Sequence, residues 1–146
     1  MTQTALLIRP ARVDDATVVA QLLGELGYPQ QPALIQLRLL TLSDLRDGAI
    51  LLAWMAGRVV GLVGVHCIPV LHTEGGLGKI TALVVEAPLR GQGIGQRLLT
   101  AAEQFARQAG CCRMEVISGN GRSDAHRFYQ REGYDPTDQT RFIKTF

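Results

Sequence analysis

The stretch Leu83 to Leu99, LVVEAPLRGQGIGQRLL, changes its apolar period in the middle. A run of strand composition enters it and glycines stand at 91, 93 and 95. Ile94, Leu98, Ala102, Phe105 and Ala109 then repeat at spacings of four, four, three and four. The switch predicts a strand, a tight corner and a long amphipathic helix closed by Gly110. A sheet must therefore lie against a covering helix that begins beside the end of a strand. The first N–H groups of that helix and the positive end of its dipole point out of the corner.

The rest of the chain supplies partners for this unit. ALLIRPAR has strand composition, and Asp14 or Asp15 caps a helix with Val18, Val19, Leu22, Leu23 and Leu26 on one side and Gly27 as its stop. Pro32 suits the first turn of a second helix whose apolar positions, Leu34 to Leu42, occupy more than one face and ask for cover on two sides. AILLAWMAGRVVGLVGVH reads as a β-hairpin turning at Ala56-Gly57-Arg58, with Gly61 and Gly64 marking a bulge or a close approach. HTEGGLGK is a loop, Lys79 to Val85 a strand, CRMEVIS a strand, SDAHRFYQREG a short helix and TRFIKTF a final strand. The order β, α, α, β, β, β, α, β, α, β, with no repeat or linker, predicts one α/β domain over residues 1–146: a mixed sheet with helices on both faces.

Composition narrows the function classes. A chain of 146 residues, 47% hydrophobic and 19% charged, can bury one core, and no apolar run approaches the ~20 residues of a bilayer span. MTQTALLIRPARVDDA carries no basic segment followed by a cleavage site, so a cytoplasmic protein without a membrane partner is expected. The net charge of +2 comes from scattered arginines, which argues against nucleic acid. Cys67, Cys111 and Cys112 cannot all pair and have the composition of reduced packing residues, while His66, His72 and His126 fall in no spacing that zinc favours, so no metal is expected.

RGQGIG is too short to be read on glycines alone. A Walker loop would end in Gly-Lys-Ser/Thr, which is missing, and a dinucleotide fingerprint would need glycine where Gln96 stands, in an N-terminal βαβ unit. A physical reading remains: Gly93 and Gly95 let backbone approach a ligand, the helix start offers N–H groups, and Arg90 adds a charge-assisted contact to a phosphate. A tight strand-to-helix turn with a solvated Arg90 satisfies the same residues. Both readings stand at this point.

The surrounding motifs resemble the GCN5-related N-acetyltransferases. Arg90, Gly93 and Gly95 match that family's Arg/Gln-x-x-Gly-x-Gly/Ala, behind an apolar strand and ahead of a long helix, and EVISGN and AHRFYQREGY are similar to its next strand and its tyrosine-bearing helix. The resemblance covers essentially the whole chain. It implies a mostly antiparallel sheet of the acyl-CoA N-acyltransferase kind, with acetyl-CoA as donor. It implies pantetheine in a V-shaped gap, paired with backbone of Leu83, Val84 and Val85, and pyrophosphate on the amides of Gly91, Gln92, Gly93, Ile94 and Gly95 beside Arg90. Counting along the family pattern from Val116 assigns a pantetheine contact to Asn120, whereas counting back from Tyr129 gives Arg122. Arg122 and Arg127 are alternatively solvated or near the nucleotide phosphates.

By the same resemblance Tyr129 is the general acid. Amine attack on the thioester gives a tetrahedral intermediate that expels a thiolate, and a phenol can protonate it. On its residues alone Tyr129 is a core aromatic beside Phe128 and Tyr134. An alkylammonium acceptor has a pKa near ~10.4 and needs a base. Glu74 is the residue named for that role, with His72, His66 and Glu86 as further candidates. No cysteine sits in a motif for a covalent acyl intermediate, so direct transfer in a ternary complex is expected. Few acidic residues, Glu25, Asp44 and Asp47, border the acceptor side, which favours a small monoamine, an amino-acid-like amine or a peptide end over a polycation. A noncatalytic acyl-CoA-binding regulatory module is the alternative, and a mononucleotide-binding domain is disfavoured by the motif mismatches. A homodimer through the second helix or the last strand is compatible with the apolar residues there.

Overall fold

The computed structural model describes residues 5–43, 46–118 and 121–146; Asp44 and Asn120 lie outside them. Strands β1 (Leu6–Pro10), β2 (Gly48–Met55), β3 (Arg58–Ile68), β4 (Gly76–Val85) and β5 (Cys111–Val116) form one sheet in sequential order. The pairs β1 to β4 are antiparallel and β4 with β5 is parallel, so the mixed, mostly antiparallel sheet is found. The β2–β3 turn has Ala56 and Gly57 at positive φ, 53° and 81°, the conformation that matches the twist of a two-residue hairpin.

Each face carries its own apolar cluster. Helices α1 (Ala16–Leu26) and α2 (Pro32–Ser43) bury Val19, Leu22, Ile35 and Leu39 against Leu52, Leu62 and Val84. On the other face α3 (Ile94–Gln108) buries Ile94, Leu98, Leu99, Ala102 and Ala106 against Ala53, Val60, Val63 and Ile80, with α4 (Ser123–Arg131) adding Phe128 and Tyr129. Leu52/Ala53 and Leu62/Val63 divide between the two clusters as the two-residue period of a strand requires. Full burial of a leucine such as Leu98 contributes about 1.5–3 kcal/mol.

Three expectations are corrected. TRFIKTF forms no strand: Phe142 and Phe146 are fully exposed and the outer edge of β5 is unpaired among the described residues. Alternating apolar residues made that segment strand-competent, but a strand needs a partner, and the chain after Gly133 does not return to β5. Helix α2 is covered on one face only, with Leu37 62% exposed. Asp15 makes no side-chain cap on α1; its carboxylate accepts from the Arg12 amide and from the Arg9 guanidinium, whose hydrogen bonds hold the acid below the usual carboxylate range.

Candidate active site

The site begins at an irregularity of β4. Gly64 pairs with Ala82 but Val65 pairs with Ile80, leaving Thr81 as an extra residue, and the pairing of β4 with β5 ends at Ile80 and Val116. A bulge bends and twists its strand, so β4 leaves β5 where Thr81 is inserted and a gap opens between them. Gly64 is required there by space, because a Cβ on it would stand 2.7 Å from Thr81 Oγ1.

Hydrogen-bond alternation decides which backbone groups face the gap. The Glu86 amide donates to the Val60 carbonyl at 2.8 Å, which makes 86 and 60 a hydrogen-bonded pair. Alternation along an antiparallel ladder then assigns Val84 to β3 and turns the N–H and C=O of Leu83 and Val85 outward. Accordingly, the Val85 carbonyl accepts from Arg90 Nε at 3.0 Å. Val84, with the other two in the sequence reading, has its backbone in the ladder and its side chain in the α1–α2 core.

Beyond β4 a short turn, Ala87–Leu89, leads to Arg90 and the corner. Gly91 and Gly93 adopt φ of +79° and +86° with nothing within 4 Å of a built Cβ, so glycine is needed for conformation and not for room. Gly93 caps α3, Ile94 buries its side chain, and Gln92 is exposed. The amides opening α3 have no carbonyl one turn earlier to bond. Gly95 is different: a Cβ built there would stand 3.6 Å from Phe128, an ordinary contact, which places the Phe128 ring of α4 beside the corner.

Tyr129 is half-buried in the same cluster as Leu83, Val85 and Val116, its ring 5.2 Å from Phe128 and 5.8 Å from Tyr134. Burial pushes its phenol above the ordinary range while the Arg122 guanidinium pulls it down. Among the described residues its hydroxyl makes no hydrogen bond, whereas the Tyr134 hydroxyl donates to Glu103 Oε2 at 2.7 Å. The structure thus brings Leu83, Val85, the corner 90–95 and Tyr129 to one end of the sheet.

Glu74 is not brought there. It sits before the start of β4, in a pocket with Asp47, Cys67, Thr73 and Gly76, at the end of the strand remote from Val85. The loop that made it look available belongs to the closed end of β4. His66 lies nearer the bulge: it pairs with Lys79, two residues before Thr81, and burial lowers its pKa. Glu86 is held in an ion pair by Arg58. Cys67 and Cys111 are half-buried free thiols, with burial foremost in pushing Cys67 up to about 12.

The acetyltransferase (GNAT) family model matches residues 18–134. The chain belongs to that family. It is similar to an aminoalkylphosphonate N-acetyltransferase of Salmonella typhimurium, 49% identical over 83 residues that make up 57% of this chain and 54% of the relative. It therefore spans little more than half of that protein. An IAA acetyltransferase of Azospirillum brasilense is 29% identical over 133 residues, 88% of this chain and 82% of the relative. The fold is similar to that of an aminoglycoside N-acetyltransferase solved in complex with CoA, with a TM-score of 0.88 at 14% identity, covering 99% of this chain and 97% of that one.

The residues present fit the acyl-CoA donor this family uses. The outward N–H and C=O of Leu83 and the outward N–H of Val85 suit an extended amide-bearing arm, and the free amides of the corner suit a pyrophosphate. One further residue at this end of the sheet was not singled out by its sequence: Ser118, just past the end of β5, has a buried hydroxyl that makes no hydrogen bond among the described residues. Such a hydroxyl is available to a water or to a ligand group. No local signal singles it out, because serine after a strand is an ordinary loop residue.

Proposed function

We propose that this domain transfers an acetyl group from acetyl-CoA to the primary amine of a small molecule by direct transfer in a ternary complex. The observation that carries the reading is the open edge of β4, with Leu83 and Val85 facing the gap, ending at the glycine corner and overlooked by Tyr129. Leu83 and Val85 would hold the pantetheine arm, the amides of 91–95 and Arg90 the pyrophosphate. Bound there, acetyl-CoA supplies an activated carbonyl and a thiolate leaving group. The Tyr129 phenol, kept protonated by its raised pKa, gives its proton to that sulfur. His66, held neutral at pH 7 by burial, is better sited than Glu74 to take the proton of the incoming amine.

Carboxylates on the α1 side favour a small acceptor. Glu25 Oε1 accepts from the Ala87 amide at 3.1 Å and Glu86 is paired with Arg58, so both already have partners within the fold. The likeness to the aminoalkylphosphonate N-acetyltransferase supports an acceptor amine carried on an alkyl chain. Exposed Leu37, Phe142 and Ile143 support self-association as a homodimer, checked by light scattering.

The test is thiol release from acetyl-CoA against a panel of small amines, amino acids, aminophosphonates and peptides, with Tyr129→Phe beside the parent. Acceptor-dependent release that drops about 100-fold in kcat in the variant, with CoA affinity kept, is expected. CoA binding without release against any acceptor favours the regulatory module, and no CoA binding overturns the reading of the gap.

A further inference from the structure

We propose that Arg122 is a positioning residue that ties the C-terminus of α1 to the start of α4 across the mouth of the gap, holding the Tyr129 hydroxyl on its target; this rests on the proton-donor reading of Tyr129. Arg122 Nη2 donates to the Leu26 carbonyl at 2.6 Å, joining segments 96 residues apart. Leu26 ends α1, and carbonyls in a last helical turn lack amide partners while lying at the negative end of the dipole. Gly27 turns the chain away at φ +103°, with the Gly27 and Tyr28 amides bonded back to Gly24 and Leu23. The Leu26 oxygen is left to a donor from elsewhere in the fold, and a guanidinium is the favoured kind.

The position of this bond gives it a role beyond a cap. Glu25, next to Leu26, reaches the Ala87 amide, so the end of α1 sits where β4 leaves the sheet. Arg122 follows the exit of β5 and caps α4, its carbonyl accepting from the His126 amide at 3.0 Å. The bond thus spans the two exits that diverge at Thr81. From Arg122 to Tyr129 is seven residues, two turns of helix, which puts both on one side of α4. Helical side chains lean toward the N-terminus, so the phenol leans toward the guanidinium, in line with the downward pull of Arg122 on Tyr129. The other groups around the phenol are the Tyr134–Glu103 pair, with Arg107 acting on Tyr134, while Arg131 stacks on Phe128 at 5.9 Å. Arg122 is the charge acting on Tyr129 itself among the described residues.

The experiment labels tyrosine at Cζ with carbon-13 and titrates the three signals in the parent, Arg122→Met and Arg122→Lys, with Tyr129 assigned by its absence in Tyr129→Phe. In Arg122→Met the Tyr129 signal should stay protonated to higher pH, and kcat should fall about tenfold with KM for acetyl-CoA unchanged. Arg122→Lys, which keeps the charge, should recover most of both, and it carries the comparison if the methionine variant folds poorly by circular dichroism. A Tyr129 titration unmoved in folded Arg122→Met, or a lysine variant no better than methionine, overturns the proposal. The two readings fail separately, since full activity in Tyr129→Phe removes the acid role whatever Arg122 does to the phenol.

Discussion

From Gly76 to Ile80, β4 is paired on both sides, with β3 and with β5; from Ala82 to Val85 its one partner strand among the described residues is β3. The two halves use glycine for opposite reasons. At the closed end a Cβ on Gly75 would lie 2.8 Å from the Gly110 carbonyl and from Cys112 Cβ, and one on Gly78 would lie 2.5 Å from Met114 Sδ, so glycine makes room. At the open end Gly91 and Gly93 have empty space around them and left-handed φ, so glycine permits a bend. Close packing builds the closed half, while the open half leaves backbone groups for a ligand. A single inserted residue, Thr81, divides them.

This comparison can be broken with proline. Val84→Pro should remove a ladder bond to β3 and cost about 3 kcal/mol in urea unfolding, whereas Val85→Pro removes an amide that faces the gap. The second variant should unfold close to the parent yet bind CoA about tenfold more weakly by calorimetry; equal destabilisation by both would contradict the assigned alternation. Next in size, Gly75→Ala should cost about 1–3 kcal/mol while kcat per folded molecule is kept, and Gly93→Ala should cost about 1 kcal/mol and raise the KM for acetyl-CoA. A Gly75 variant that lost donor affinity instead would show the two ends to be coupled.

The smallest effects concern the base. Because burial holds the His66 pKa below 6.5, the acid limb of kcat/KM should fall below pH 6.5: activity is present above that pKa and lost as the imidazole is protonated. His66→Gln should remove the limb and lower kcat/KM, while Glu74→Gln should stay within about twofold of the parent. A bell that survives in His66→Gln and vanishes in Glu74→Gln would restore the loop acid.

Local chemistry made much of this legible. The period switch at the corner, the Gly27 stop, the Ala56-Gly57 turn and the amphipathic α3 depend on residues a few positions apart, where propensity and spacing act directly. Glycines 61 and 64 mark a bulge or a close approach by their place in a strand, and both sit beside register shifts. The final strand was not legible: Phe142, Ile143 and Phe146 carry strand composition, yet pairing depends on an edge that composition cannot see. The misplaced Glu74, the ladder-bound Val84 and the unforeseen Ser118 share one cause. Each was judged by its neighbours in sequence, while its role depends on which end of β4 it reaches or which partner its atoms face.

The sequence by itself determined the elements from β1 to α4 and their order, the glycine corner and the family to which the chain belongs, because these follow from short-range periodicity and from motifs of a few residues. Tertiary structure alone decided where β4 parts from β5, which amides look into the gap, and that Arg122 reaches the end of α1. Those facts arise from register and from contacts between residues as many as 96 positions apart, and no local pattern encodes them.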